Sequence, residues 1–374
     1  MPRTFGIEEE FFLVNPQTAT LATVPPGLLE HVQGEDLAGA TLVPELLGSQ
    51  VELVSGICTT ASDALESLLM GRRKLQEACA GAGLVPVATG TPPFLPGETE
   101  ISEGQRYEDI QHFVPGIVRE HYINGLHIHV HIPDAESGLQ AMNVLRPWLP
   151  ALTAIGANSP VWNGELSGFE SWRMVHYRRW SVIGVPPAFD SMDHYQRLRR
   201  IMLNSGALLD AGHIGWAVRL SEHNPTIEVR AADEQLTAGE SVAIAMLVRA
   251  LVDTGLAQGR MAKTVEDRLL DLGLWHASKM GMSGPLFDAG TETRLEPEQV
   301  LRQLLDYAGE HLANNGDLDF VQNYFARIAS VGNGAQRQRA SWARGGGPAL
   351  VQDAQQEFAR RNDAGLPHQP VTGW

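Results

Sequence analysis

Phe5-Gly6-Ile7-Glu8-Glu9-Glu10-Phe11-Phe12-Leu13-Val14 is a run of strand-forming residues interrupted by three acids. In a strand the side chains alternate, so Glu8 and Glu10 point to one face while Ile7, Glu9 and Phe11 point to the other. Two carboxylates about 7 Å apart on one face of a sheet are costly to bury unless cations neutralise them. An edge strand with its acids in water is the plain alternative, and the rest of the chain decides between the two.

Three further stretches repeat the anomaly. In Glu45-Leu46-Leu47-Gly48-Ser49-Gln50-Val51-Glu52-Leu53-Val54, a short strand carries Gln50, Glu52 and Val54 on one face, with Glu45 seven residues before Glu52 across a bend. In Asn124-Gly125-Leu126-His127-Ile128-His129-Val130-His131-Ile132, period 2 places three imidazoles on one face and four aliphatic side chains on the core side. His213–Leu220 and Pro225–Ala231 read as a hairpin joined by Ser221-Glu222-His223-Asn224, with Thr226, Glu228 and Arg230 sharing a face.

Between these lie helices. Thr60 with Asp63 resembles a capping box, and Leu65, Leu68, Leu69, Leu75 and Cys79 follow at helical spacing until Gly81 and Gly83. Pro133-Asp134 opens a helix to about Leu149, Gly239 to about Leu256 forms an apolar helix, and Pro297 suits the first position of a helix over 296–309. Residues 161–190 are loop-like and rich in Trp and Arg, a composition suited to anionic small molecules. A single catalytic domain over 1–374 is expected: a core of about 5–290, a helical part of about 291–345, and a mobile polar tail of about 346–374 beyond Gly345-Gly346-Gly347.

With 374 residues, 43% of them hydrophobic, the chain can build a large core. A formal charge of -16 argues against partners recognised by their phosphates, so neither nucleic acid nor anionic membrane is expected. Met1-Pro2-Arg3-Thr4 leads into the acidic strand without an apolar signal segment, and no apolar run approaches a membrane span, which points to the cytoplasm. Cys58 and Cys79 are read as free thiols.

Collected, the anomalies are Glu8, Glu10, Glu45, Glu52, His127 and Glu228, drawn from four expected strands. Oxygen-dominated sets suit hard ions, so Mg2+ or Mn2+ is preferred to zinc, and two or three ions are implied. Such ions with arginines nearby can clamp the terminal phosphate of a nucleoside triphosphate in line with an acceptor oxygen. No GxxxxGK[ST] loop is present. Two rivals stand beside this reading: a zinc-dependent hydrolase built on His127, His129 and His131, and a non-catalytic metal or metabolite sensor.

Gly6-Ile7-Glu8-Glu9-Glu10, Glu45 with Gln50-Val51-Glu52-Leu53, Gly125-Leu126-His127-Ile128-His129-Val130, Ala157-Asn158-Ser159-Pro160, and Thr226-Ile227-Glu228-Val229-Arg230 with Asp233 and Leu236-Thr237 resemble, in order, the glutamate-cysteine ligase type 2 family of YbdK-type carboxylate-amine ligases. The resemblance implies an α+β, glutamine-synthetase-like catalytic fold: a curved antiparallel sheet with helices on its convex face. It implies ATP as co-substrate, an acyl phosphate of glutamate's γ-carboxylate or a similar acid, and displacement of phosphate by the amine of cysteine or a related compound. By the same likeness Glu8, Glu10, Glu45, Glu52, His127 and Glu228 hold two or three Mg2+ or Mn2+ ions, and Glu228 and Arg230 are the catalytic pair. Arg173, Arg230, His129 and Lys279 contact ATP or substrate, with Arg173 pairing a substrate carboxylate. The partners are then small molecules, ATP and amino acids, and the assembly state stays open, a homo-oligomer included. The chain departs from the family at His131, where glycine is usual, at Lys279, where arginine is usual, and at Gly273, where asparagine is common. Lysine cannot make arginine's two-pronged contact.

Overall fold

Strand β1 (Phe5–Val14) is the axis of a seven-stranded sheet. The computed structural model describes residues 2–30, 32, 37–259 and 265–360. The other strands are β2 (Thr41–Pro44), β3 (Gln50–Val54), β4 (Val85–Val87), β5 (Gly125–His131), β6 (Val218–Leu220) and β7 (Thr226–Asp233). Their order is β6-β7-β5-β1-β3-β2, with β4 also on β1, and the pairs are antiparallel.

The alternation read from the sequence sets the two faces. Ile7, Phe11, Leu126, Ile128 and Val130 are buried in the main hydrophobic core. That core is closed by α1 (Ala61–Gly81), α3 (Ala135–Leu145), α4 (Leu149–Ile155) and α6 (Ala238–Gln258), after α2 (Gln105–Phe113), which stands elsewhere. Helix α1 starts with the expected capping box of Thr60 and Asp63. Helix α6 is buried along nearly its whole length, between the sheet and the C-terminal helix α8 (Pro297–Asn315), which explains why it is apolar on every side. The short α5 (Trp172–Tyr177) and α7 (Asp267–Met280) complete the part that surrounds the sheet. The mixed helix and antiparallel sheet expected from the sequence is what forms.

The polar face of β1 is not its sole charged face. Glu9 points into the core and is fully buried, where Arg72 of α1 holds both its oxygens at 2.7 and 2.8 Å and also reaches Glu234 at 2.9 Å. Ser241 donates to the same Glu9 at 2.6 Å.

The tail differs from expectation. After α9 (Leu318–Val331), helix α10 (Gly334–Phe358) kinks at Gly345 and Gly346, the latter at φ +61°, and then continues to Phe358. Leu350, Val351, Ala354 and Phe358 recur at helical spacing and are buried, so residues 347–358 have an apolar stripe that the polar composition concealed. Phe358 packs edge-on against Phe11 at 4.8 Å and covers the Arg72 guanidinium at 5.0 Å. Residues 361–374 of the expected tail lie outside the described residues.

Candidate active site

Antiparallel register brings the four acidic or histidine-rich segments together. Glu10 stands directly opposite Glu52, Glu8 opposite His127, and Glu228 opposite His129 on one side and Arg219 on the other. Directly opposed side chains begin about 4.5–5.5 Å apart at Cβ, so one row across four strands becomes one cluster. It floors a cavity of about 720 Å³ that also takes in Glu45, Arg230, Arg106 of α2, Asp210 to Gly212, and the hairpin turn Ser221 to Asn224.

Eight of the ten residues singled out in the sequence line this cavity: Glu8, Glu10, Glu45, Glu52, His127, His129, Glu228 and Arg230. Two do not. Arg173 lies 2% exposed beneath Gly125, with its guanidinium bonded to the Arg230 carbonyl at 3.1 Å and 5.4 Å from the Tyr177 ring. A Cβ on Gly125 would come within 2.1 Å of that guanidinium, so the glycine is what makes room for it. The expected direct pairing of Arg173 with a substrate is therefore corrected: the residue is packed under the floor. Lys279 is exposed on α7, its Nζ 4.8 Å from the centre of the Phe169 ring, and is likewise outside the cavity. Arg106, Asp210 and Arg219 were not found from the sequence. Counting the hairpin outward from Ser221-Glu222-His223-Asn224 sets Arg219 opposite Thr226, two residues short of its observed partner Glu228, so the expected turn hid it; nothing local marks Arg106 or Asp210.

Charge is distributed unevenly. Glu228 is gripped by Arg219 at 2.7 and 3.1 Å and by Arg230, whose other arm meets the Tyr177 hydroxyl at 3.3 Å. Burial alone would raise its carboxyl, but the two guanidinium groups outweigh burial and hold it well below the usual range. Burial also opposes the charge on Glu8, yet hydrogen bonding to His127 Nδ1 at 3.0 Å and the closeness of His129 Nε2 at 3.1 Å bring it below the usual range. His127, buried and facing Arg230, falls to about 4 and is neutral near pH 7, the form that ligates metal.

Glu10, Glu45 and Glu52 carry the opposite sign of shift. Burial and the Glu45 charge push Glu10 up to about 8, against the pull of Arg173 and the Gly125 N–H. Glu52 is also held well above the usual carboxylate range, through burial and then the charges of Glu45, Glu8 and Glu10. Three carboxyls this close cannot all ionise without a counter-charge.

The donors fit divalent cations. Three groups, Glu8 with His129 and Glu228, Glu8 with Glu52 and His127, and Glu10 with Glu45 and Glu52, each place one ligand atom per residue within 4.8 Å of the others. Nε2 of His127 is buried without a hydrogen-bond partner, and Nε2 of His129 faces a Glu8 oxygen at 3.1 Å. Each group has at most one imidazole, and His131 is in none of them, so the three-histidine zinc site of the rival reading does not assemble among the described residues.

A pH-dependent stability follows. Glu10 has a folded value of about 8 against 4.5 for the free group, so its contribution to stability is complete below pH 4.5 and is lost as pH rises through about 8. In EDTA the midpoint of thermal unfolding is expected to fall from pH 5 to pH 8. Mg2+ or Mn2+ is expected to raise it, and more at pH 8 than at pH 6. Calorimetry in the two buffers checks this, and a metal-induced rise that shrinks with increasing pH would refute the cation role of the Glu10 group.

Comparisons with known proteins give the family and the fold. Residues 4–359 match the sequence family described as glutamate-cysteine ligase family 2. A protein of Saccharopolyspora erythraea provisionally named glutamate–cysteine ligase 2-2 is 38% identical over 353 residues, covering 93% of this chain and 90% of its own. One of the same provisional name from Mycobacterium sp. (strain KMS) is 36% identical, over 94% and 97% of the two chains. Among solved structures, the glutamate–cysteine ligase of Francisella tularensis in complex with AMP aligns with a TM-score of 0.67 at 15% identity, over 98% of this chain and 90% of that one. The ligase PafA in complex with the ubiquitin-like protein Pup aligns with a TM-score of 0.53 at 12% identity, over 96% and 73%. These two likenesses concern the fold. Among the described residues no helix is long and apolar enough to cross a membrane.

Proposed function

The chain belongs to glutamate-cysteine ligase family 2 and is an ATP-dependent carboxylate-amine ligase, and from that premise we propose that it joins the γ-carboxylate of glutamate, or of a similar acid, to the amine of cysteine or a related amino compound. In this reaction a carboxylate oxygen of the acid attacks the γ-phosphorus of ATP and ADP leaves, giving an acyl phosphate. The amine nitrogen then attacks the acyl carbon, the C–O bond to phosphate breaks, and inorganic phosphate departs with an amide formed. The single observation carrying this reading is the convergence of five carboxylates, two histidines and a guanidinium on one cavity.

Glu8, Glu10, Glu45, Glu52, His127 and Glu228 would hold Mg2+ or Mn2+, two or three ions in all, with His129 as a further ligand. When bound, such ions neutralise the triphosphate and the charge that develops during transfer. Arg230 would steady the transferred group: its guanidinium is held by Glu228 and the Tyr177 hydroxyl, while its Nε is buried without a hydrogen-bond partner. Arg173 acts from below, drawing Glu10 toward its charged form against burial and Glu45.

The reaction is tested with ATP, Mg2+, glutamate and a panel of amines, measuring ADP, phosphate and the mass of the product. Consumption of ATP by no acid and amine pairing would refute the ligase reading and favour a sensor. For Arg230→Lys, turnover is expected to fall by about 10³, because an ammonium keeps the charge but loses the fork. A kcat within threefold of the parent would remove Arg230 from phosphoryl transfer.

A further inference from the structure

We propose that Arg106 and Asp210 form the recognition site for the α-ammonium and α-carboxylate of a zwitterionic amino acid, and that this pair selects an α-amino acid over a simple carboxylic acid as the substrate to be activated. The proposal deepens the ligase reading and rests on it.

The two residues are distant in sequence and meet at the mouth of the cavity. Arg106 comes from the first turn of α2, Asp210 from the turn that opens a short 3-10 helix, Ala211–His213. Both line the cavity. Their contact is two-pronged, Nη1 to Oδ2 and Nη2 to Oδ1. Arg219 and Arg230, the other arginines of the wall, are committed to Glu228 and are mostly buried, with 17% and 15% of their side chains exposed. The pair at the mouth keeps 54% of Arg106 and 38% of Asp210 in contact with solvent. An exposed pair of this kind contributes little to stability, so separating it costs little.

A guanidinium beside a carboxylate is the charge complement of an ammonium beside a carboxylate. An α-amino acid entering here exchanges one ion pair for two, its carboxylate on Arg106 and its ammonium on Asp210, and no charge is left unpaired. A dicarboxylic acid without the ammonium repels Asp210; an amino acid without the α-carboxylate leaves Arg106 with its old partner. Asp210 stays in place during the exchange, since its Oδ1 also accepts the Gly212 N–H at 2.8 Å.

The test compares kcat/KM for glutamate, glutarate and 4-aminobutyrate at saturating ATP, Mg2+ and amine. The parent is expected to prefer glutamate to either truncated acid by about fivefold or more, the factor for losing one solvent-exposed charged partner. In Asp210→Asn the preference over glutarate is expected to collapse while that over 4-aminobutyrate survives. In Arg106→Gln the reverse holds, Arg106→Lys recovers part of it, and the KM for ATP stays unchanged. The inference is overturned if the parent uses glutarate as well as glutamate, or if both ratios persist in both variants. A parent that uses glutarate as well as glutamate overturns the inference even if a variant fails to fold. Absence of ADP with all three acids would instead defeat the ligase reading, and the inference with it.

Discussion

Glu228→Gln is expected to lower ATP-dependent turnover by about a thousandfold, the rate equivalent of roughly 4 kcal/mol, while the protein stays folded. The amide keeps the shape of the side chain, so packing on β7 is preserved. It removes the charge shared by Arg219 and Arg230, and it removes one donor from the group formed with Glu8 and His129. Both losses fall on charge that must be balanced during phosphoryl transfer. The measurement is a steady-state ADP assay alongside Mn2+ binding by equilibrium dialysis. Unchanged turnover with unchanged Mn2+ binding would take Glu228 out of the site.

Arg72→Met is expected to have the largest effect on stability, a loss of about 3–5 kcal/mol, the range seen when one member of a buried ion pair is removed. Arg72, Glu9 and Glu234 have no exposed side-chain surface, and Arg72 further donates to the carbonyls of Gln235, Leu236 and Phe358. Methionine fills much of the space between the Phe11 and Phe358 rings but leaves two carboxyls buried side by side. Denaturant unfolding of the parent and the variant measures it. A difference under 1 kcal/mol would show that the two buried carboxyls do not depend on the Arg72 guanidinium. Because Glu234 accepts the Glu10 N–H at 3.2 Å, reduced Mn2+ affinity is expected to accompany the loss.

The floor of the site was legible in the sequence because period 2 is a local property. Glu8 with Glu10, and His127 with His129, declare their common face without knowledge of the partner strand. The rim was not legible. Arg106 and Asp210 meet only because α2 and the Ala211–His213 turn are folded over the cavity, 104 residues apart in the chain, and neither has a telling neighbour. Arg173 misled for a related reason: its sequence context fits an anion-binding loop, but the missing side chain of Gly125 lets it pack under the sheet instead. Residues 346–358 misled because three consecutive glycines suggested an end where the helix only bends.

The direct opposition of Glu10 with Glu52, Glu8 with His127 and Glu228 with His129 restricts how this enzyme can change over time. Inserting or deleting one residue within β1, β3 or β5 would turn every later side chain of that strand over, trading acids for aliphatics, whereas β7 already takes up one register shift between Val229 and Ala232, beyond Glu228. Length variation is therefore barred from those three strands and open to the segments around Arg106, Asp210 and His223, so relatives on this scaffold should diverge in the acid or amine they accept sooner than in how they handle ATP.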